Sequence, residues 1–212
     1  MHPRLPHGGL YAITDGPRPD LLSAAESALR GGAAMLQYRD KTADSARRLD
    51  EARALHALCA RFNVPLIIND DVALAVSVGA AGIHLGEHDG DLLAARSALG
   101  SGAIIGVSCY DSLSRARQLA AAGADYLAFG AFYPSPTKPH ARRASPELLR
   151  SAKSLGLPLV AIGGITADNA QPLLDAGADF LALISAVFGS ADIIGATRRH
   201  VALFTKQKVE FS

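Results

Sequence analysis

Tryptophan is absent from this chain, and only two cysteines occur in 212 residues. Cys59 falls in an apparently helical stretch, Ala52–Arg61, and Cys109 follows an apolar run. Two thiols so placed make no disulfide framework and are expected to be reduced, as in a cytoplasmic protein. Cys and His nowhere pair with zinc-finger spacing, which argues against a structural zinc site. No run of about 18 uninterrupted apolar residues is present to span a bilayer. The opening MHPRLPHGG lacks the apolar core of a signal peptide. One-sided charge is missing too: 21 Lys and Arg face 20 Asp and Glu, a formal net charge of +1. That balance gives no general reason to expect nucleic acid or an anionic membrane as partner. A small anionic ligand would need a local cluster of cations, so the search narrows to particular loops.

What is present is alternation. Apolar runs recur at 9–14, 34–39, 65–70, 82–86, 103–108, 125–130, 158–164 and 179–185. Ala- and Leu-rich segments with helical spacing lie between most of them, as in Asp20–Arg30, Ala43–Arg61 and Ser112–Ala122. Strands alternating with helices imply βαβ units and a parallel sheet. Eight such strands in a chain of this length favour one closed α/β barrel, a (β/α)8 or TIM barrel, over an open sheet. The chain also repeats itself: AGADYLA at 122–128 returns as AGADFLA at 176–182, with a weaker copy from Val78 to Ile83. Each is expected to end a helix on a left-handed glycine and start the next strand at once. No linker divides the chain, so residues 1–212 are assigned to one domain, with 1–8 and about 206–212 expected to be loosely held.

Catalytic groups of a βα barrel sit at the C-terminal ends of its strands. The second strand ends in Gln37-Tyr38-Arg39-Asp40-Lys41, where period two aims Gln37, Arg39 and Lys41 to one side; a solvated strand end is the plainer alternative. Asn69-Asp70-Asp71 ends the third strand, with Asp71 read as the cap of the helix starting at Val72. Glu87-His88-Asp89 follows the fourth. Asp70 and Asp89, on neighbouring strand ends, can converge as a magnesium site or simply hold their loops. A proline-stiffened loop carries Ser135, Thr137 and Lys138, continued by His140, Arg142 and Arg143. Gly163-Gly164-Ile165 and Ile184-Ser185 end the last two strands, where barrels of this kind bind phosphate. His84, inside an apolar strand, reads as a satisfied core histidine. Ser108 shows no evident His–Asp partners for nucleophilic catalysis and suits hydrogen bonding to a ligand.

Together these segments resemble the thiamine-phosphate synthases from about Leu10 to Phe188. The family's Gln-x-Arg-Glu-Lys stands as Gln37 to Lys41, its Asn-Asp as Asn69-Asp70, and its His-x-Gly-x-x-Asp as His84 to Asp89. Gly-Val-Ser is Gly106-Val107-Ser108, Thr-x-Thr-Lys is Ser135 to Lys138, Gly-Gly-Ile is Gly163 to Ile165, and Ile-Ser is Ile184-Ser185. The resemblance implies that Gln37, Arg39, Asp40, Lys41, Asn69 and Ser108 meet a pyrimidine diphosphate. It implies Mg2+ on Asp70 and Asp89. It gives Ser135, Thr137, Lys138, Gly164, Ile184 and Ser185 to a thiazole phosphate. Arg39, Lys41, Lys138 and Ser108 would carry catalysis, in which pyrophosphate departs, the pyrimidine methylene becomes a cation and the thiazole nitrogen captures it. Two positions depart from the family pattern: Asp40 stands for Glu and Ser135 for Thr. The rival readings are the related thiazole tautomerase, expected to carry a histidine where Tyr110 stands, another sugar-phosphate barrel enzyme, and a non-catalytic regulatory relative.

Overall fold

The computed structural model describes residues 5–134 and 142–210, with side chains as far as residue 205. Its elements are β1 (Gly9–Ile13), α1 (Leu21–Arg30), β2 (Met35–Tyr38), α2 (Ser45–Phe62), β3 (Leu66–Asn69), α3 (Val72–Val78), β4 (Gly82–Leu85) and α4 (Leu92–Leu99). There follow β5 (Ile104–Tyr110), α5 (Leu113–Ala121), β6 (Tyr126–Phe129), α6 (Pro146–Ala152), β7 (Leu159–Ile162), α7 (Gln171–Asp175), β8 (Phe180–Leu183), α8 (Ser185–Phe188) and α9 (Ile193–Glu210). The strands pair in chain order and all in parallel, and β8 returns to β1 through registers such as Leu10 with Leu181, closing the barrel.

Side-chain alternation along each strand sorts two cores. Outward residues such as Leu10, Leu36, Ile68, Ile105 and Leu127 pack against the helices. Inward ones, among them Tyr11, Met35, Ile67, Tyr126, Val160 and Phe180, fill the barrel. Fully burying one aliphatic or aromatic side chain stabilises by about 1.5–3 kcal/mol, so both layers matter. Four of the helices start by a common device. Asp44, Asp71, Asp91 and Ser112 each accept a hydrogen bond from the backbone N–H three residues on, worth about 1 kcal/mol apiece.

The repeated AGAD segments prove structural. Gly123 and Gly177 take φ of +96° and +99° after their helices, so the turn needs a residue without Cβ. The aspartate that follows turns back to the N-terminal floor of the barrel. Asp125 Oδ2 accepts from Ile105 N at 2.7 Å and from Arg96 at 2.7 Å. Asp179 Oδ2 accepts from Leu159 N at 2.8 Å, with Lys153 at 3.2 Å from Oδ1. Each ties the start of one strand to the start of the next.

One expectation needs correction. β5 runs two residues beyond Ser108, with a shift of register against β6 between Ser108 and Tyr110. Leu5 is buried among the residues filling the barrel, and the last helix is described as far as Glu210.

Candidate active site

The mouth of the barrel, at the C-terminal ends of the strands, opens into a cavity of about 470 Å³. Gln37, Arg39 and Lys41 line it from β2 and the following loop, as the period-two argument requires. Asn69 and Asp70 enter from β3, Asp89 from the loop after β4, and Ser108 from β5. Gly164, Ile184 and Ser185 form the opposite wall. Ser135, Thr137, Lys138 and His140 lie outside the described residues.

The two aspartates converge. Asp70 has φ of +64°, a left-handed turn that short polar side chains tolerate best after glycine. Its N–H donates to His84 O at 2.9 Å. Its carboxylate pairs with the Lys41 ammonium and accepts from Asn69 Nδ2 at 2.6 Å. Asp89 Oδ2 accepts from Gly86 N at 2.9 Å. Burial, together with hydrogen bonding to Asp89, raises the Asp70 pKa above the ordinary carboxylate range despite Lys41. For Asp89, burial works upward but is outweighed by the hydrogen bond from Asp70, the Gly86 N–H and the Lys41 charge, so its carboxyl is held low. Two carboxylates drawn this close together favour a cation between them. Two hard oxygen donors, with room at the mouth for waters and a ligand's phosphate oxygens, fit magnesium.

Arg39 makes no ion pair among the described residues. Its backbone is fixed instead: Arg39 N donates to Thr14 Oγ1 at 2.8 Å, and that hydroxyl donates to Arg39 O at 3.2 Å. An uncompensated guanidinium held at a cavity wall is suited to an anionic ligand. Gly164, at φ of +63°, would bring a Cβ within 2.4 Å of Pro134 O. Only glycine lets the β7 turn run against that loop.

Asp40 does not belong to the cavity wall. Its side chain is fully buried, with Arg47 at 2.8 Å and Thr42 N donating to Oδ1 at 2.7 Å. Burial works to raise its pKa, yet the hydrogen bonds from Thr42 and Arg47 hold it below the usual range. Alternation turns it away from its neighbours Arg39 and Lys41, so it shapes the β2–α2 loop. The shorter Asp side chain fills that structural position.

Other residues surfaced that sequence reasoning had set aside. His84 lines the cavity, with Nε2 2.9 Å from Ser108 Oγ and Nδ1 2.9 Å from Tyr126 OH. Ser108 thus has a histidine partner after all, but that histidine faces a phenol where a catalytic triad would put a carboxylate. Tyr110 OH accepts from Glu87 N at 3.2 Å. Arg142 stacks 4.4 Å above the Tyr110 ring and reaches Glu87 at 2.9 Å. Polar atoms on inward-facing positions of Tyr11, Gln37, His84 and Tyr126 were the signal available for the first group.

The closed parallel barrel, with carboxylates and cations meeting at its mouth, is of the (β/α)8 class, and that mouth suits an anionic ligand. Residues 10–187 match the model of one family, thiamine monophosphate synthase. A relative from Marinobacter nauticus named thiamine-phosphate synthase is 55% identical over 85% of this chain and 83% of its own. One from Thiobacillus denitrificans, with the same name, is 53% identical over 96% of this chain and 98% of its own. The solved thiamine phosphate pyrophosphorylase of Pyrococcus furiosus superposes with a TM-score of 0.85 at 34% identity, covering 96% of both chains. The chain belongs to the thiamine monophosphate synthase family, whose members are transferases. A 3-hexulose-6-phosphate synthase matches at 15% identity with a TM-score of 0.69, a likeness of fold alone.

Proposed function

We propose that the protein joins an aminopyrimidine methyl diphosphate to a thiazole ethyl phosphate, giving thiamine phosphate and pyrophosphate. The observation that carries this reading is the meeting of Asp70, Asp89, Lys41 and Arg39 at one side of the cavity. In the reaction the bond from methylene carbon to diphosphate oxygen breaks, with the electron pair leaving on pyrophosphate. A carbon–nitrogen bond to the thiazole then forms. Asp70 and Asp89 would hold Mg2+, which supplies charge neutralisation for the diphosphate when bound. Arg39 and Lys41 donate hydrogen bonds to the departing oxygens, and Lys138 adds a third cation from its loop. Gln37, Asn69 and Ser108 orient the pyrimidine. Gly164, Ser185 and the backbone after Ile184 receive the thiazole and its phosphate, with Ser135 and Thr137. The ring's own amino group stabilises the cation at the methylene, so the protein needs no strong nucleophile.

The sequence identity to relatives named thiamine-phosphate synthase favours this reading over the tautomerase. So does Tyr110, whose hydroxyl is engaged with the loop after β4. No described helix is long and apolar enough to cross a membrane, consistent with small diffusible substrates. The test is pyrophosphate release by purified protein given both substrates across a magnesium titration. Magnesium-dependent release matched by thiamine phosphate is the expected result; thiazole binding without release would favour the tautomerase or a non-catalytic relative.

A further inference from the structure

Beneath the charged rim, four hydrogen bonds run unbroken across the cavity floor. Gln37 Nε2 donates to Tyr11 OH at 2.7 Å. Tyr11 OH lies 2.9 Å from Tyr126 OH, Tyr126 OH lies 2.9 Å from His84 Nδ1, and His84 Nε2 lies 2.9 Å from Ser108 Oγ. The rings are fixed as well. Tyr11 meets Tyr126 edge to face at 89°, and Tyr126 lies over His84 with 20° between their planes. Gly106 is what admits the Tyr126 ring, since a Cβ there would stand 1.8 Å from Tyr126 Cζ.

Such a chain has a direction. Tyr11 and Tyr126 are almost wholly buried, and burial raises both phenols above their ordinary pKa, so each keeps one proton. A buried hydroxyl left without an acceptor for its proton is costly. Tyr11 already accepts from Gln37, so its own proton goes to Tyr126. The proton of Tyr126 then goes to His84 Nδ1, leaving the imidazole proton on Nε2 to donate to Ser108. Ser108 is left with its hydroxyl proton to give, and Gln37 with its carbonyl oxygen to accept.

We infer that Tyr11, Tyr126 and His84 are positioning residues that set the hydrogen-bond direction between Gln37 and Ser108 and so select an aminopyrimidine. An acceptor at Gln37 and a donor at Ser108 match a ring presenting an amino N–H and an unprotonated ring nitrogen. The oxo ring made by deamination presents the reverse pair, an N–H and a carbonyl, and leaves both protein groups mispaired. A site built around such a pair rejects the mispaired analogue far more strongly than a merely apolar pocket does. This role rests on the substrate reading above.

Two measurements test it together. In the ligand-free protein, 15N shifts of the His84 ring should report the neutral Nε2–H tautomer, and Tyr126→Phe should give a mixture. In kinetics, Tyr11→Phe and Tyr126→Phe should each raise KM for the pyrimidine diphosphate by roughly tenfold, the scale of one hydrogen bond. KM for the thiazole phosphate should hold and the preference for the amino over the oxo ring should fall, while the melting temperature drops by a few degrees as the neighbouring buried group loses its partner. A wild-type Nδ1–H or doubly protonated ring would overturn the inferred direction without touching the reaction. Equal rises in both KM values would overturn the positioning role, and a wild-type protein that makes no thiamine phosphate would overturn the substrate reading itself.

Discussion

Aspartates at the two ends of this barrel do opposite work. At the N-terminal floor, Asp125 and Asp179 each accept from a strand N–H and pair with one basic side chain. Both are engaged in joining neighbouring strand starts. At the mouth, Asp70 and Asp89 face each other, with one pKa pushed up and the other held low. The lesson is that residue type says little about role in a βα barrel: the end of the strand on which a carboxylate lies, and whether its partners saturate it, decide between fold and chemistry.

The largest effect expected from breaking this contrast is on catalysis at the mouth. Asp70→Asn should lower kcat/KM by roughly 10²–10³, the usual loss when one charge-stabilising group is removed. Its stability should not fall. A carboxyl with a raised folded pKa stabilises below its unfolded value, near 4, and loses that contribution as pH rises through the folded value. At neutral pH the charge is therefore no asset to folding, and the apoprotein melt of the variant should match or exceed wild type. Lys138→Ala should follow at roughly 10², read with both substrates saturating.

Floor substitutions should reverse the pattern. Asp125→Ala leaves the Ile105 N–H unpaired and Arg96 with only the Ala103 and Gly123 carbonyls, costing about 1–3 kcal/mol in denaturant unfolding. Asp179→Ala should cost less, about 1 kcal/mol, because Lys153 is half exposed and can return to water. Turnover per folded molecule should be unchanged in both, and a catalytic loss without loss of stability would undo the contrast.

The smallest effect concerns His200 on α9, away from both ends. Its Nδ1 bonds Ala196 O at 2.8 Å, its Nε2 is buried without a partner among the described residues, and burial lowers its pKa. A depressed folded value means its contribution is present above the unfolded pKa near 6.5 and fades as pH falls toward the folded one. Wild-type melting temperature should therefore decline as pH falls below about 6.5, with a component that His200→Leu removes.

Much of this was legible in the chain. Eight apolar runs with helices between them gave the barrel, and strand-end placement found Gln37, Arg39, Lys41, Asn69, Asp70, Asp89 and Ser108 at one cavity. Asp71 was legible as a helix cap for the same local reason. Asp40 was misplaced because motif position outweighed alternation, which turns it toward Arg47. Tyr11, His84 and Tyr126 were passed over because an inward aromatic on an apolar strand looks alike whether it packs or hydrogen-bonds. Only the closed register, which sets β1 beside β2 and β4 beside β5, with Tyr126 reaching Tyr11 across the interior, reveals that their polar atoms meet. The work of the repeated AGAD aspartates was hidden likewise, since their partners lie 20 residues back on the preceding strands.

On the proposed reading the mouth carboxylates serve a magnesium-bound diphosphate while the floor carboxylates serve the fold. Thermal melts of wild type, Asp70→Asn and Asp125→Ala with inorganic pyrophosphate, with and without magnesium, test it most directly. A ligand bound only by the folded state raises the melting temperature according to its affinity. A magnesium-dependent rise of similar size is expected in wild type and Asp125→Ala, and none in Asp70→Asn. An equal rise in all three would contradict it.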